Sequence, residues 1–163
     1  MKRLAIYALA ILAVTACDMD SFSEILPGAQ FPFELLSYMT RNQAISRLKG
    51  KPFVQVVEQS ALSPDDRRPP FSIVRLEIAE YRDHGQTGEL QLLFFNDRLT
   101  EVVFFPKDAR LYLESLKSVG VQVPAMRDAV NVTTHTDHRG KQYVRWEDER
   151  LSEQLSRWIE RYS

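Results

Sequence analysis

The spacing of apolar and polar positions changes period several times along the chain, and each change marks an element. Phe71 to Arg82 sets Val74, Leu76 and Ile78 against Arg75 and Glu77, the period of two expected of a half-buried strand. Glu89 to Phe95 and Arg98 to Phe105 follow, parted by the tight-turn pair Asn96-Asp97, so the three runs predict an antiparallel meander. The polar stretch Asp83 to Gly88 predicts the first turn. If Phe94 pairs with Leu99, alternation puts Leu90, Leu92, Phe94, Leu99, Val103 and Phe105 on one face. Leu93, Phe95, Val102 and Phe104 are left on the other. Both faces are then apolar near the turn. That predicts central strands, with helices on one face and either more protein or a partner on the other. Phe53 to Glu58, behind Pro52, reads as an earlier strand, and Val130 to Thr136 with Gln142 to Trp146 as a later hairpin around Asp137-His138-Arg139-Gly140.

Helical spacing appears in three places. Thr40-Arg41-Asn42-Gln43 is a capping-box pattern, in which the Thr40 hydroxyl accepts from the Gln43 amide and the Gln43 side chain returns to the Thr40 amide. It predicts a helix from Arg41, carrying Ala44, Ile45 and Leu48 on one face and stopped by Gly50 and Pro52. Asp108 suits the positive end of a second helix, whose stripe is Ala109, Tyr112, Leu113, Leu116 and Val119, with Gly120 as the stop. Asp148 can cap a last helix with Leu151, Leu155, Trp158, Ile159 and Tyr162 on one side and Glu153 with Arg157 as an i,i+4 pair on the other. That stripe packs on its own domain or on a coiled-coil partner, and its shortness favours the former. Phe31, Phe33, Leu35 and Leu36 form an apolar lead-in of unassigned structure. Ser60 to Pro70, with three prolines around Asp65-Asp66-Arg67-Arg68, is either a solvated connector or a recognition loop. The class expected is α+β: an antiparallel sheet of about five or six strands covered by two or three helices, with a C-terminal amphipathic helix.

The N-terminus fits none of these patterns. Lys2 and Arg3 precede an apolar run from Leu4 to Val14, 11 residues where a membrane-spanning helix needs roughly 20. Such a run reads as the core of a cleavable export signal. Val14-Thr15-Ala16, directly before the only cysteine, resembles the lipobox of bacterial lipoproteins. That resemblance implies cleavage after Ala16 and lipid on Cys17. The expected organisation is a signal peptide at 1–16, the lipidated cysteine and a tether at 17–30, with Pro27 and Gly28 near the tether's end, and a single domain at 31–163. Removing 1–16 takes away Lys2 and Arg3, so the mature chain carries 19 − 22 = −3 formal charges. A basic footprint for nucleic acid is absent. With Cys17 lipidated, the domain is expected to fold without disulfides although the exported compartment permits them.

Met39-Thr40, Gln43-Ala44, Leu48, Gly50 and Pro52 resemble the helix start and end of the BamE-like (SmpA/OmlA) lipoproteins, Gly-Met-Thr-x-x-Gln-Val and Leu-Gly-x-Pro. Leu90, Leu92 and Phe94, the turn Asn96-Asp97 and Leu99 look like the family's late strand, turn and strand. Tyr38 stands where the family has glycine, Ala44 where it has valine, and Lys49 is one residue extra before Gly50. The resemblance spans roughly residues 37–105. It implies an antiparallel sheet after the helix and an association with the outer-membrane β-barrel assembly machinery. It carries no binding residues across, because the matching positions are structural.

Chemistry is sparse. His135, Asp137 and His138 are the metal-like cluster, and three ligands would converge only if the turn curled back, so a solvated hairpin tip is the simpler reading and no metal is expected. His84 lies in another turn with no evident partner. Glu147-Asp148-Glu149 sits at a helix start, where dipole complementarity explains the acids, and Asp97 and Glu101 read as turn and strand residues reaching solvent. Phosphate-cradling, dinucleotide, nucleophile-elbow and His-Glu-x-x-His motifs do not occur, so neither catalytic residues nor cofactors are assigned. The function expected is a non-catalytic binding or assembly subunit, lipid-anchored in the bacterial envelope, facing the periplasm and holding an envelope protein. The alternative is a small-ligand or lipid-binding module with an apolar cleft beside the sheet. Asp18, next to Cys17, resembles an inner-membrane retention signal, whereas the BamE-like resemblance favours the outer membrane.

Overall fold

A computed structural model describes residues 26–48, 51–58 and 71–162. The export signal, Cys17, most of the tether, Gly50 and the loop Ser60–Pro70 lie outside the described residues. The fold is α+β. An antiparallel sheet of seven strands, more than the five or six expected, has the order β1-β2-β3-β4-β7-β6-β5. Strands β1 (Val54–Glu58), β2 (Ile73–Asp83), β3 (Gln86–Phe95) and β4 (Arg98–Pro106) form a meander. Helix α2 (Ala109–Ser118) then carries the chain to β5 (Ala125–Arg127) at the far edge, and β6 (Val130–Thr136) and β7 (Gln142–Asp148) return to close against β4. Helix α1 (Arg41–Arg47) precedes the sheet and α3 (Glu149–Tyr162) ends the chain.

The additional strand is β5. It is three residues long and turns into β6 through Asp128 and Ala129, both at positive φ. Alanine is a poor residue for that conformation, so no turn was legible there. The β2–β3 turn is also tighter than expected. Only His84 and Gly85 have positive φ, and Asp83 pairs with Gln86, so polar residues read as loop are strand ends. Gly88 allows the close pass to β4, because a side chain there would strike the Phe105 carbonyl.

Two bulges decide which side chains face the core. Phe94 pairs with Leu99 as expected, but Leu93 pairs with Glu101, leaving Thr100 as the extra residue. The Thr100 hydroxyl donates to the Arg98 carbonyl at 3.1 Å. Beyond the bulge the alternation is reversed: Val102 and Phe104, not Val103 and Phe105, join Leu90, Leu92, Phe94 and Leu99 in the core. In β2 a shift between Ile78 and Tyr81 turns Tyr81 inward in place of Glu80, its ring 4.9 Å from Phe33 and 6.5 Å from Phe104.

One face of the sheet is covered by α1, α2 and the lead-in segment, through Ala44, Leu48, Tyr112, Leu116, Phe31 and Leu35. The capping box of α1 is present, with 2.8 Å from the Thr40 amide to Gln43 Oε1 and 3.3 Å from the Gln43 amide to Thr40 Oγ1. Asp108 caps α2 by accepting from the Leu111 amide at 2.9 Å, and Val119 is exposed rather than part of the buried stripe. Helix α3 lies apart from that core. Leu151, Gln154 and Trp158 are its buried residues, Ile159 is exposed, and Arg157 donates to the Glu153 carbonyl instead of its carboxylate.

Candidate interaction surfaces

Asp148 ends β7 inside the protein, its carboxylate wholly shielded from solvent. Ser37 Oγ donates to it at 2.5 Å and Arg150 grips it through two guanidinium nitrogens and its amide, the last contact capping α3. Arg150 also donates to the Pro27 carbonyl at 3.1 Å, and Ser37 Oγ accepts from the Ala29 amide at 2.8 Å. Part of the stretch read as tether is therefore packed: Ala29 is buried, and Gln30 bridges to Leu36. Gly28 is needed here, since a side chain would strike the Ser37 carbonyl. Burial alone would raise the Asp148 pKa, but the Arg150 and Ser37 hydrogen bonds and the Arg150 charge outweigh it and hold the carboxyl below its ordinary range. Beside this clamp, the guanidinium carbons of Arg98 and Arg150 lie over the Tyr38 ring, at 5.9 and 5.4 Å from its centre.

The face of the sheet away from the main core is covered at the β3–β4 turn end, where Arg98 donates to Gln154 of α3 at 3.0 Å and Phe71 stacks on Trp158. Farther along, cross-strand rows carry charge. Arg75, Leu93, Glu101 and Glu147 form one row, and Glu77, Gln91, Val103 and Arg145 the next. Glu101 and Glu147 stand directly opposite, a repulsive pairing that Arg145 offsets by bonding both, Glu101 at 2.6 Å. Glu101 does not reach freely into solvent as expected. Burial raises its pKa and outweighs the attraction of Arg145. The β6–β7 tip bounds this face, with Lys141 Nζ 3.3 Å from Glu89 and 4.7 Å above the Phe105 ring. Between the tip and Val54 of β1 lies a groove of about 590 Å³.

His135, Asp137 and His138 do not converge. His135 stacks on Tyr143 and bonds Thr133, Asp137 accepts from the Arg139 and Lys141 amides, and His138 Nε2 faces Arg139. The Lys141 and Arg139 amides lower the Asp137 pKa. Among the described residues no three His, Cys, Asp or Glu side chains are grouped to hold a metal ion. His84 has the partner that its sequence context concealed: Asp83, at 2.7 Å, which also accepts from the buried Tyr112 hydroxyl at 2.7 Å. Burial and that hydrogen bond raise the Tyr112 pKa.

On the core side, beside α2, two hollows open. One of about 610 Å³ lies between Leu113, Lys117 and the segment Val121 to Pro124, and one of about 250 Å³ between Ala109, Leu113 and strands β6 and β7. No signal in the periodicity pointed to them. No protein-family model matches the chain, and no curated protein matches it.

Proposed function

We propose that the protein is a lipid-anchored, periplasm-facing envelope protein that acts as a non-catalytic binding or assembly subunit, in outer-membrane protein assembly or envelope integrity. The observation that carries the anchoring is the apolar run ending Val14-Thr15-Ala16-Cys17, with Cys17 the only cysteine of the chain. The binding role rests on the outer sheet face, where half-buried Leu93 and buried Val103 and Phe105 lie among paired charges, Phe105 lining an open groove. Tyr38 supports the BamE-like reading. It stands where that family has glycine, and its φ of 66° is a conformation glycine adopts freely. The two halves of the resemblance also meet, since Asp97 Oδ1 accepts from the Arg41 amide and Nε at 3.1 and 2.9 Å, pinning the start of α1 to the β3–β4 turn. The lipid would raise the local concentration of this face for a membrane-borne partner.

In-cell photocrosslinking tests the reading. A photoreactive residue at Gln91, on the outer face, is expected to capture a discrete envelope protein, while one at Arg110, on the exposed side of α2, does not. Failure at both Gln91 and Glu77 removes the outer face as a binding surface. Sucrose-gradient separation of the membranes decides between the outer membrane, favoured by the resemblance, and the inner membrane, favoured by Asp18. The hollows beside α2 support a second reading, a small-ligand or lipid-binding module, because the larger lies within the roughly 300–1,000 Å³ typical of ligand sites.

A further inference from the structure

The sheet ends in two edges, β1 on one side and β5 on the other. An edge strand presents a row of unpaired N–H and C=O groups, which proteins commonly blunt with shortness, proline, charge or a bulge. β5 is blunted: it is three residues long, follows Pro124, which has no N–H to offer, and ends on Arg127. β1 is not. It runs for five residues, about 17 Å, its register with β2 is unbroken from Val54↔Glu77 to Glu58↔Ile73, and it contains neither proline nor a basic residue. Among the described residues no strand pairs with its outward side. Lys51, three residues earlier, is engaged elsewhere, its Nζ 5.8 Å from the centre of the Tyr81 ring. Phe53 and Val54, 42% and 64% exposed, are adjacent large apolar side chains open to solvent, and Gln55 is exposed beside them. Val54 and Val56 pair with Glu77 and Arg75 and so stand on the outer face, where Val54 forms one end of the groove of about 590 Å³.

We propose that an extended segment of the partner protein adds to this edge as an eighth strand, hydrogen-bonded to β1 and carrying apolar side chains at alternate positions against Val54 and Val56. The inference rests on the reading of the outer face as the partner's binding surface, and adds the form in which the partner binds. Backbone chemistry selects the occupant: the outward amides and carbonyls of β1 are spaced to pair in register only with another extended chain, while alternate side chains supply selectivity. Every second side chain of the added strand would stand on the groove side of the sheet, so one segment can serve both edge and groove. A second folded copy fits less well. Its own β1 could lie along this edge, but the contact would be confined to two strands about 17 Å long, against the roughly 1,200–2,000 Å² that stable associations bury, and its sheet would continue the plane of this one without entering the groove.

The test takes the full chain with the photoreactive residue at Gln91, crosslinks it in cells, and reads hydrogen exchange in the purified crosslinked complex against the free protein. Antiparallel pairing alternates, so β2 already holds every second amide of β1. The remaining, outward amides are expected to slow at least about tenfold in the complex, while those of α2 around Arg110 do not change. Val54→Pro and Gln55→Pro cover the two amide directions, since one removes an outward donor and the other a bond to β2. The variant that keeps the wild-type urea midpoint is expected to lose capture at Gln91 about tenfold. If neither variant folds, the exchange measurement decides alone. Capture at Gln91 with the exchange of β1 unchanged overturns the inference and leaves the outer-face reading standing. Crosslinking to a second copy of this chain overturns it too. No capture at Gln91 or at Glu77 overturns both.

Discussion

Tyr38 is held in a conformation that costs an L-residue about 1–2 kcal/mol, at φ 66°, because its ring meets two guanidinium groups and its amide bonds the Leu99 carbonyl at 3.1 Å. Strain and stacking oppose one another at a single residue, and two substitutions separate them. Tyr38→Ala loses the ring and keeps the strain; Tyr38→Gly loses both. The glycine variant is therefore expected to be the more stable of the two by about 1 kcal/mol in urea unfolding, although each falls below the wild type. Equal stabilities would mean that the left-handed backbone is not a source of strain. The position was visible in the sequence only as a departure from a family's glycine. That a tyrosine holds a left-handed backbone here depends on contacts with Arg98 and Arg150, distant in the chain and unpredictable from local pattern.

Elements were legible where one period governed them and illegible where a single residue reset it. The meander, the capping box of α1 and the β6–β7 hairpin followed from spacing alone, whereas Thr100 reversed every later inward and outward assignment in β4. The candidate outer face suffered from this directly. Unbroken alternation groups its Val103 and Phe105 with Leu90, Leu92 and Phe94, from which the bulge separates them, and its ion pairs join residues on different strands that periodicity cannot relate. The clamp that joins the lead-in segment, β7 and α3 was likewise hidden, because Ser37 and Asp148 are 111 residues apart. Its carboxylate gives it a pH signature. The folded-state pKa of Asp148 is depressed, so the stability it contributes is fully present above the unfolded value of about 3.9 and is lost as the pH falls through that value toward the folded one. Asp148→Asn should cost about 2 kcal/mol at neutral pH, and the gap to wild type should narrow below about pH 4. Urea titrations at pH 7 and pH 3 measure it. A gap that does not change with pH would show that shape, and not the ionised carboxylate, holds the three elements together.

At the scale of the whole molecule, the fold and the proposed anchor are separable. The first packed residues among those described, Pro27 to Ala29, come 27 − 17 = 10 residues after Cys17, a distance that at full extension reaches at most about 36 Å. With Cys17 lipidated as proposed, the domain would stay within that reach of the membrane. Among the described residues the core begins at Ala29, so lipid on Cys17, as proposed, is expected to contribute reach and not packing. The formal charge of −3 expected for the mature chain favours no electrostatic attraction to anionic headgroups, so the proposed attachment rests on the lipid. Cys17→Ser isolates that contribution, provided the mature chain is exported behind an ordinary cleavable leader, since the cysteine is also part of the processing signal. The expected result is a periplasmic protein absent from the membrane fraction, whose urea midpoint matches that of the lipidated form to within the roughly 0.5 kcal/mol typical of surface changes. A variant that stays in the membrane at normal levels would transfer the anchoring from Cys17 to the protein surface. A variant that is released but unfolded would show that the lipidated segment takes part in the packing.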